Sequence, residues 1–231
     1  VSAAGDRAAT ANGAAGDPGA SAPPAGEHIS ALIAAGRRVG AKQLTWGTAG
    51  NVSVRLADGR FAISGSGHRL DELESASIVA CDIASEAWEG SCRPSVETAM
   101  HRGIYAARPD AGAVLHSSAF HTTLVACSAI ELETAASTDT LYYLRRIARL
   151  PFLVPGSPEL ARAVAEAARE HDAILLGNHG SVVVGRDLAA AVNVAEALEL
   201  MCRMLVARTQ GFPLLPIPEE QREGALHRMD E

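Results

Sequence analysis

No cluster of Lys and Arg, no apolar stretch close to the ~20 residues a membrane span needs, and no Cys-x-x-Cys pair occurs in this chain of 231 residues. Each absence closes off a class of function. Neutralising nucleic-acid phosphates takes clustered cations, and the formal net charge is −7, so no nucleic-acid partner is expected. No membrane partner is expected either, for want of a span-length segment. The four cysteines, Cys81, Cys92, Cys127 and Cys202, lie far apart. A domain of this size needs no covalent staples, so they read as buried free thiols in a reducing cytoplasm. Residues 1–26 contain no large aliphatic side chain except Val1 and are mostly Ala, Gly, Ser, Pro and Asp. They bury too little apolar surface to offset the entropy of ordering and read as a disordered tail. They have neither the contiguous apolar core of a signal peptide nor the arginines of a transit peptide. Residues 27–231 are long enough for one domain with a sizeable core.

The periodicities within that domain change along the chain. Ile29, Leu32, Ile33 and Gly36 fall at helical spacing and predict an amphipathic helix over 28–41. Residues 51–56 alternate like a strand, Asp58-Gly59 is a hairpin turn, and 60–64 form the returning strand. Strands are also predicted at 77–82 and, as a short edge, at 86–89. Residues 97–107 read as a helix between Pro94 and Pro109, and 113–115 as an apolar strand ending at His116. Helices follow at 122–126, 141–148 and 159–170, the last behind Ser157-Pro158, a cap followed by a first-turn proline. Strands at 173–176 and 181–184 flank Gly177-Asn178-His179-Gly180. A long helix covers 188–209, and Pro213, Pro216 and Pro218 end regular structure. Hairpins first, then helices alternating with strands, give an α/β sandwich.

Three scattered segments carry chemistry: Pro94-Ser95-Val96-Glu97, Leu115-His116-Ser117-Ser118-Ala119-Phe120-His121, and Gly177-Asn178-His179-Gly180. Side chains at i and i+2 of a strand share a face, so a His-x-His pair at a strand end can grip a metal. Here the second position is Ser118, and His121 is the candidate to turn toward the same point. His179, between glycines that leave room for a metal and a substrate, is a further ligand candidate. Glu97 at a helix start either caps that helix or serves as a proton carrier beside a metal. His101, four residues on, falls on the same helix face and would brace it. Thr45 to Asn51, Ser64-Gly65-Ser66-Gly67 and Ser95 form either plain turns or an anion cradle made without a Walker lysine.

In order and spacing, several motifs resemble the class II aldolase/adducin family. They are Gly50-Asn51-Val52-Ser53, Ser64-Gly65-Ser66-Gly67, Pro94-Ser95-Val96-Glu97 with His101 and Tyr105, Arg108-Pro109-Asp110, Val114-Leu115-His116 and Asn178-His179-Gly180. The resemblance spans about residues 27–209. It implies a three-layer α/β/α sandwich with a central mixed, largely antiparallel sheet, assembled as a homotetramer with active sites between subunits. It also implies a divalent metal ion, zinc first and manganese or iron as alternatives. Carried over, His116 and His179 are metal ligands, with His121 standing in for the missing third histidine, and Glu97 is the acid/base and a further ligand. Thr48, Asn51, Ser66, Gly67 and Ser95 match the phosphate-binding loops. The chain departs from the pattern at Ser118, which replaces a ligand histidine, and at Val96, where a second serine is usual. It also lacks a tyrosine proton donor at the usual spacing, with Tyr142 and Tyr143 as the available substitutes. The implied activity is an aldolase-type, metal-dependent lyase forming an enediolate from a small hydroxylated carbonyl compound or sugar phosphate. A decarboxylase, an epimerase, an iron-dependent oxygenase and a non-catalytic assembly module like the adducin head are the alternatives.

Overall fold

Hydrophobic alternation with period two runs through the strands and sorts their side chains into two cores. The computed structural model describes residues 26–230, so the expected tail lies outside the described residues except for Gly26, the first residue of helix α1 (Gly26–Ala41). Strands β1 (Asn51–Arg55), β2 (Arg60–Ser64), β3 (Ile78–Asp82) and β4 (Trp88–Glu89) form an antiparallel meander. Helix α2 (Thr98–Ala107) leads to β5 (Ala113–Ser117), then α3 (Phe120–Ala126) and α4 (Thr138–Tyr143). After these come β6 (Ile147–Leu150), α5 (Pro158–Ala167), β7 (Ala173–Leu176), β8 (Gly180–Gly185), α6 (Leu188–Thr209) and α7 (Glu219–Asp230).

All eight strands join one sheet in the order β4-β3-β2-β1-β5-β8-β7-β6. Every pairing is antiparallel except β6 with β7. On one face, Phe61, Ile63, Val79, Val114, Ile174 and Val182 pack against Met100, Ile104 and Tyr105 of α2 and Leu160 and Val164 of α5. Their immediate neighbours, such as Val52, Ala62, Ala80, Leu115 and Val183, face the other way onto α1 and α6. Each fully buried aliphatic side chain of this kind contributes about 1.5–3 kcal/mol. The sheet is thus covered on both faces, the α/β/α sandwich expected from the sequence.

Two expectations need correcting. The helix predicted over 141–148 stops at Tyr143, and residues 147–150 are a strand. Leu141, Leu144 and Ile147 mimic helical spacing, but the backbone of 147–150 pairs in register with 173–176, a partner that local periodicity cannot reveal. Regular structure also resumes beyond the prolines. Pro218 directly precedes α7, a polar helix with no buried residue, tied down where Arg145 donates to both oxygens of Asp230 at 2.9 Å.

Candidate metal centre

The register of β1 against β5 places Asn51 opposite His116 and Ser53 opposite Val114, so Asn51, Ser53 and His116 share the sheet face that α2 covers. Gly50, just before β1, has φ +83°, and a Cβ there would lie 2.7 Å from the His116 carbonyl oxygen. The strand therefore enters the site only with glycine at this position. Glu97 sits at the head of α2, yet its side chain makes no cap bond. The capping role is set aside. Its Oε2 lies 3.1 Å from His116 Nε2 and accepts from Asn51 Nδ2 at 3.1 Å, while its Oε1 is 3.4 Å from His179 Nε2. Ligating atoms of Glu97, His116 and His179 all fall within 4.8 Å of one another.

Two strand-end histidines and a helix-head carboxylate, distant in sequence, thus meet at one point. The two imidazoles meet edge to face with centroids 4.8 Å apart. His116 donates from Nδ1 to the Ser181 carbonyl at 2.9 Å, which leaves the Nε2 lone pair facing the cluster. Burial, assisted by the neighbouring His116, lowers the pKa of His179 below its ordinary value, favouring the neutral ring. Glu97 is buried and its Oε1 has no hydrogen-bond partner. This donor set fits a divalent ion. The 3.1 and 3.4 Å separations are close to the ~3.3 Å between ligands around a tetrahedral ion with ~2.0–2.1 Å bonds. A bound cation would also supply the partner that Oε1 lacks.

Around the cluster is a cleft of about 260 Å³. Thr48, Ser66, Gly67 and Ser95, the expected phosphate loops, line it together with Asn51, Glu97, His116 and His179. Ser118 and Pro155 also line it, and Val96 stands at its edge, 73% exposed. Asn51 lines the cleft as expected and is also engaged within the protein. Both ends of its amide are occupied, Nδ2 by Glu97 and Oδ1 by His101 Nε2 at 2.5 Å. His101, expected to brace Glu97, is linked to it by way of Asn51.

His121 is not brought to the cluster. Its Nδ1 pairs with Glu199 Oε1 at 2.7 Å, and its backbone N–H donates to the same oxygen at 3.2 Å. The reason is that the residue before α3, Ala119, offers no capping side chain, and a glutamate from α6 takes over the helix start. Tyr142 and Tyr143 line a different cavity with Arg108 and Arg145, so within one chain neither faces this cleft. Sequence reasoning missed Ser181, whose contribution is a main-chain carbonyl, and Pro155, which reaches the cleft from the loop after β6 with no motif to mark it. The thiols are free, although only Cys81 and Cys202 are buried, Cys92 being half-buried and Cys127 exposed.

Residues 30–206 match the Class II Aldolase and Adducin N-terminal domain family. The chain belongs to the class II aldolase/adducin family. It is 36% identical over 197 residues to a 5-methylthioribulose-1-phosphate/5-deoxyribulose-1-phosphate aldolase of Rhodospirillum rubrum, covering 85% of this chain and 88% of that protein. It is 32% identical over 172 residues to a 3-oxo-tetronate 4-phosphate decarboxylase of Haemophilus influenzae, covering 73% of this chain and 81% of that one. Among solved structures, an L-fuculose 1-phosphate aldolase superposes with TM-score 0.82 at 27% identity, covering 90% of this chain and 99% of that one. These relatives are enzymes of the class II aldolase superfamily, and small sugar phosphates are substrates that fit the family.

Proposed function

We propose that this protein is a divalent-metal-dependent lyase, zinc being the first choice, that breaks a carbon–carbon bond beside the carbonyl of a small hydroxylated, phosphorylated compound. The observation that carries this reading is the Glu97–His116–His179 cluster at a cleft rimmed by Thr48, Ser66, Gly67 and Ser95. His116, His179 and Glu97 would hold the metal ion, which would supply Lewis-acid stabilisation of negative charge on a substrate oxygen. Neutral donors in the loops orient the phosphate. Glu97, anchored at Oε2 by Asn51, moves a proton between substrate oxygen and carbon. The free thiols suit a reducing compartment, and a cytoplasmic setting belongs to the same reading.

Decarboxylation is the second reading, favoured by the relative from Haemophilus influenzae. It uses the same charge stabilisation, with carbon dioxide leaving in place of an aldehyde. Purified protein reconstituted with Zn(II), Mn(II) or Fe(II) separates the two when offered 5-deoxyribulose 1-phosphate and 3-oxo-tetronate 4-phosphate, with aldehyde and carbon dioxide measured. One product is expected, lost on chelation and restored by metal. Glu97→Gln is expected to lower kcat by about 10²–10⁴-fold. Protein that takes up no metal and releases neither product would instead be a non-catalytic assembly module.

A further inference from the structure

Helix α2 and strand β1 advance at nearly the same pace along their contact. Four helical residues rise ~6.0 Å and two strand residues ~6.8 Å, so Glu97, His101 and Tyr105 stay opposite Asn51, Ser53 and Arg55. The matched stripes form one buried hydrogen-bonded chain. Tyr105 Oη lies 2.8 Å from Ser53 Oγ, Ser53 Oγ 2.7 Å from His101 Nδ1, His101 Nε2 2.5 Å from Asn51 Oδ1, and Asn51 Nδ2 3.1 Å from Glu97 Oε2. Arg55 closes the far end, its guanidinium 4.8 Å from the Tyr105 ring centroid. Asn51, Ser53, His101 and Tyr105 are all buried.

We infer that His101 is a positioning residue that fixes the Glu97 carboxylate through Asn51, an inference that rests on Glu97 being the proton carrier proposed above. A carboxylate only accepts, so Asn51 turns its NH₂ toward Glu97 and its Oδ1 toward His101. His101 therefore donates from Nε2. Its bare Nδ1 accepts from the Ser53 hydroxyl, whose oxygen accepts from Tyr105. Each donor points toward Glu97, and one tautomer of His101 satisfies the whole chain. Without that donor the Asn51 Oδ1 loses its anchor, so the amide is held only by Glu97 and no longer fixes the pose of the carboxylate.

The test compares His101→Phe, which keeps a ring but no donor, with His101→Gln, whose amide N–H can donate to Asn51. For the substrate that wild type turns over, the Phe variant is expected to lose about 10–100-fold in kcat, with KM within about threefold. The Gln variant should recover most of that loss. Cobalt(II) titration followed by visible absorption reads the carboxylate pose without turnover, and the Phe variant should bind about tenfold more weakly. Nitrogen-15 NMR of the wild type should find His101 protonated at Nε2. A Phe variant with wild-type kcat and cobalt affinity overturns the inference, as does a ring protonated at Nδ1. If the Phe variant fails to fold, Ser53→Ala removes the next donor and should lower kcat and cobalt affinity about threefold; no change in either overturns it. Wild type that binds cobalt but cleaves neither substrate defeats the assigned reaction, while the cobalt comparison still decides the role of His101.

Discussion

A carboxylate oxygen left without a partner inside a protein costs about 1–3 kcal/mol, and Glu97 Oε1 is such an atom. Folding alone would select against it; the metal or substrate we propose at the cleft would give it a partner. The enclosed His101 has its own consequence. Burial, with His116 nearby, lowers its pKa to about 3, whereas the unfolded ring titrates near ~6.5. Below pH ~6.5 the unfolded chain takes up a proton that the folded one refuses. This contribution to stability is therefore intact above pH ~6.5 and declines as pH falls toward 3, by at most about 1.4 kcal/mol per unit. Urea denaturation at pH 7.5, 6 and 5 should show a steeper loss for wild type than for His101→Gln. Equal slopes would mean that the ring is open to solvent. Of the site residues, Glu97, His116 and His179 were legible because few roles suit such side chains beside small residues at element ends. The link from Asn51 to Glu97 was not legible, because an asparagine in a glycine-bearing loop looks the same whether or not it also holds a neighbouring carboxylate.

Among the elements, α3 depends most on its surroundings. Seven residues are too few for a helix to persist alone, and this one starts without a cap of its own. Glu199 of α6 accepts from Thr122 N at 2.8 Å and Thr122 Oγ1 at 2.9 Å, as well as from His121. Glu199→Ala strands those donors in a buried place and is expected to cost about 2–4 kcal/mol in urea denaturation. His121→Ala removes one side-chain partner, should cost about 1–2 kcal/mol, and should leave bound metal unchanged by elemental analysis. Metal lost with His121 would return that residue to the ligand set. Long periodic elements such as α1 and α6 were readable within a few residues, as was the 58–59 hairpin. Strand β6 was not, since only its parallel neighbour distinguishes it from a continuing helix.

For the molecule as a whole, the cleft lies among side chains that the single chain leaves uncovered. Val96 is 73% exposed, and Trp46, which donates to the Ser118 carbonyl, is 68% exposed. Phe120 and Val154, next in sequence to Ala119 and Pro155, are 68% and 62% exposed. Large exposed apolar groups near a polar cleft suit an association surface, and we propose here the four-fold assembly that the family resemblance implies. Light scattering after size exclusion should give about 96 kDa, four times the 23.9 kDa chain. A mass near that of one chain would refute the assembly.

Composition, hairpin and helix periodicities, and the order of short motifs were enough to fix the layered α/β fold and to single out one carboxylate and two imidazoles. These are local signals, written in residue type and spacing. Which polar group meets which is decided by strand register and by the pace of α2 along β1, and neither exists until the sheet has formed. Hence Asn51 holds Glu97, and His121 completes a helix start instead of joining the Glu97–His116–His179 cluster.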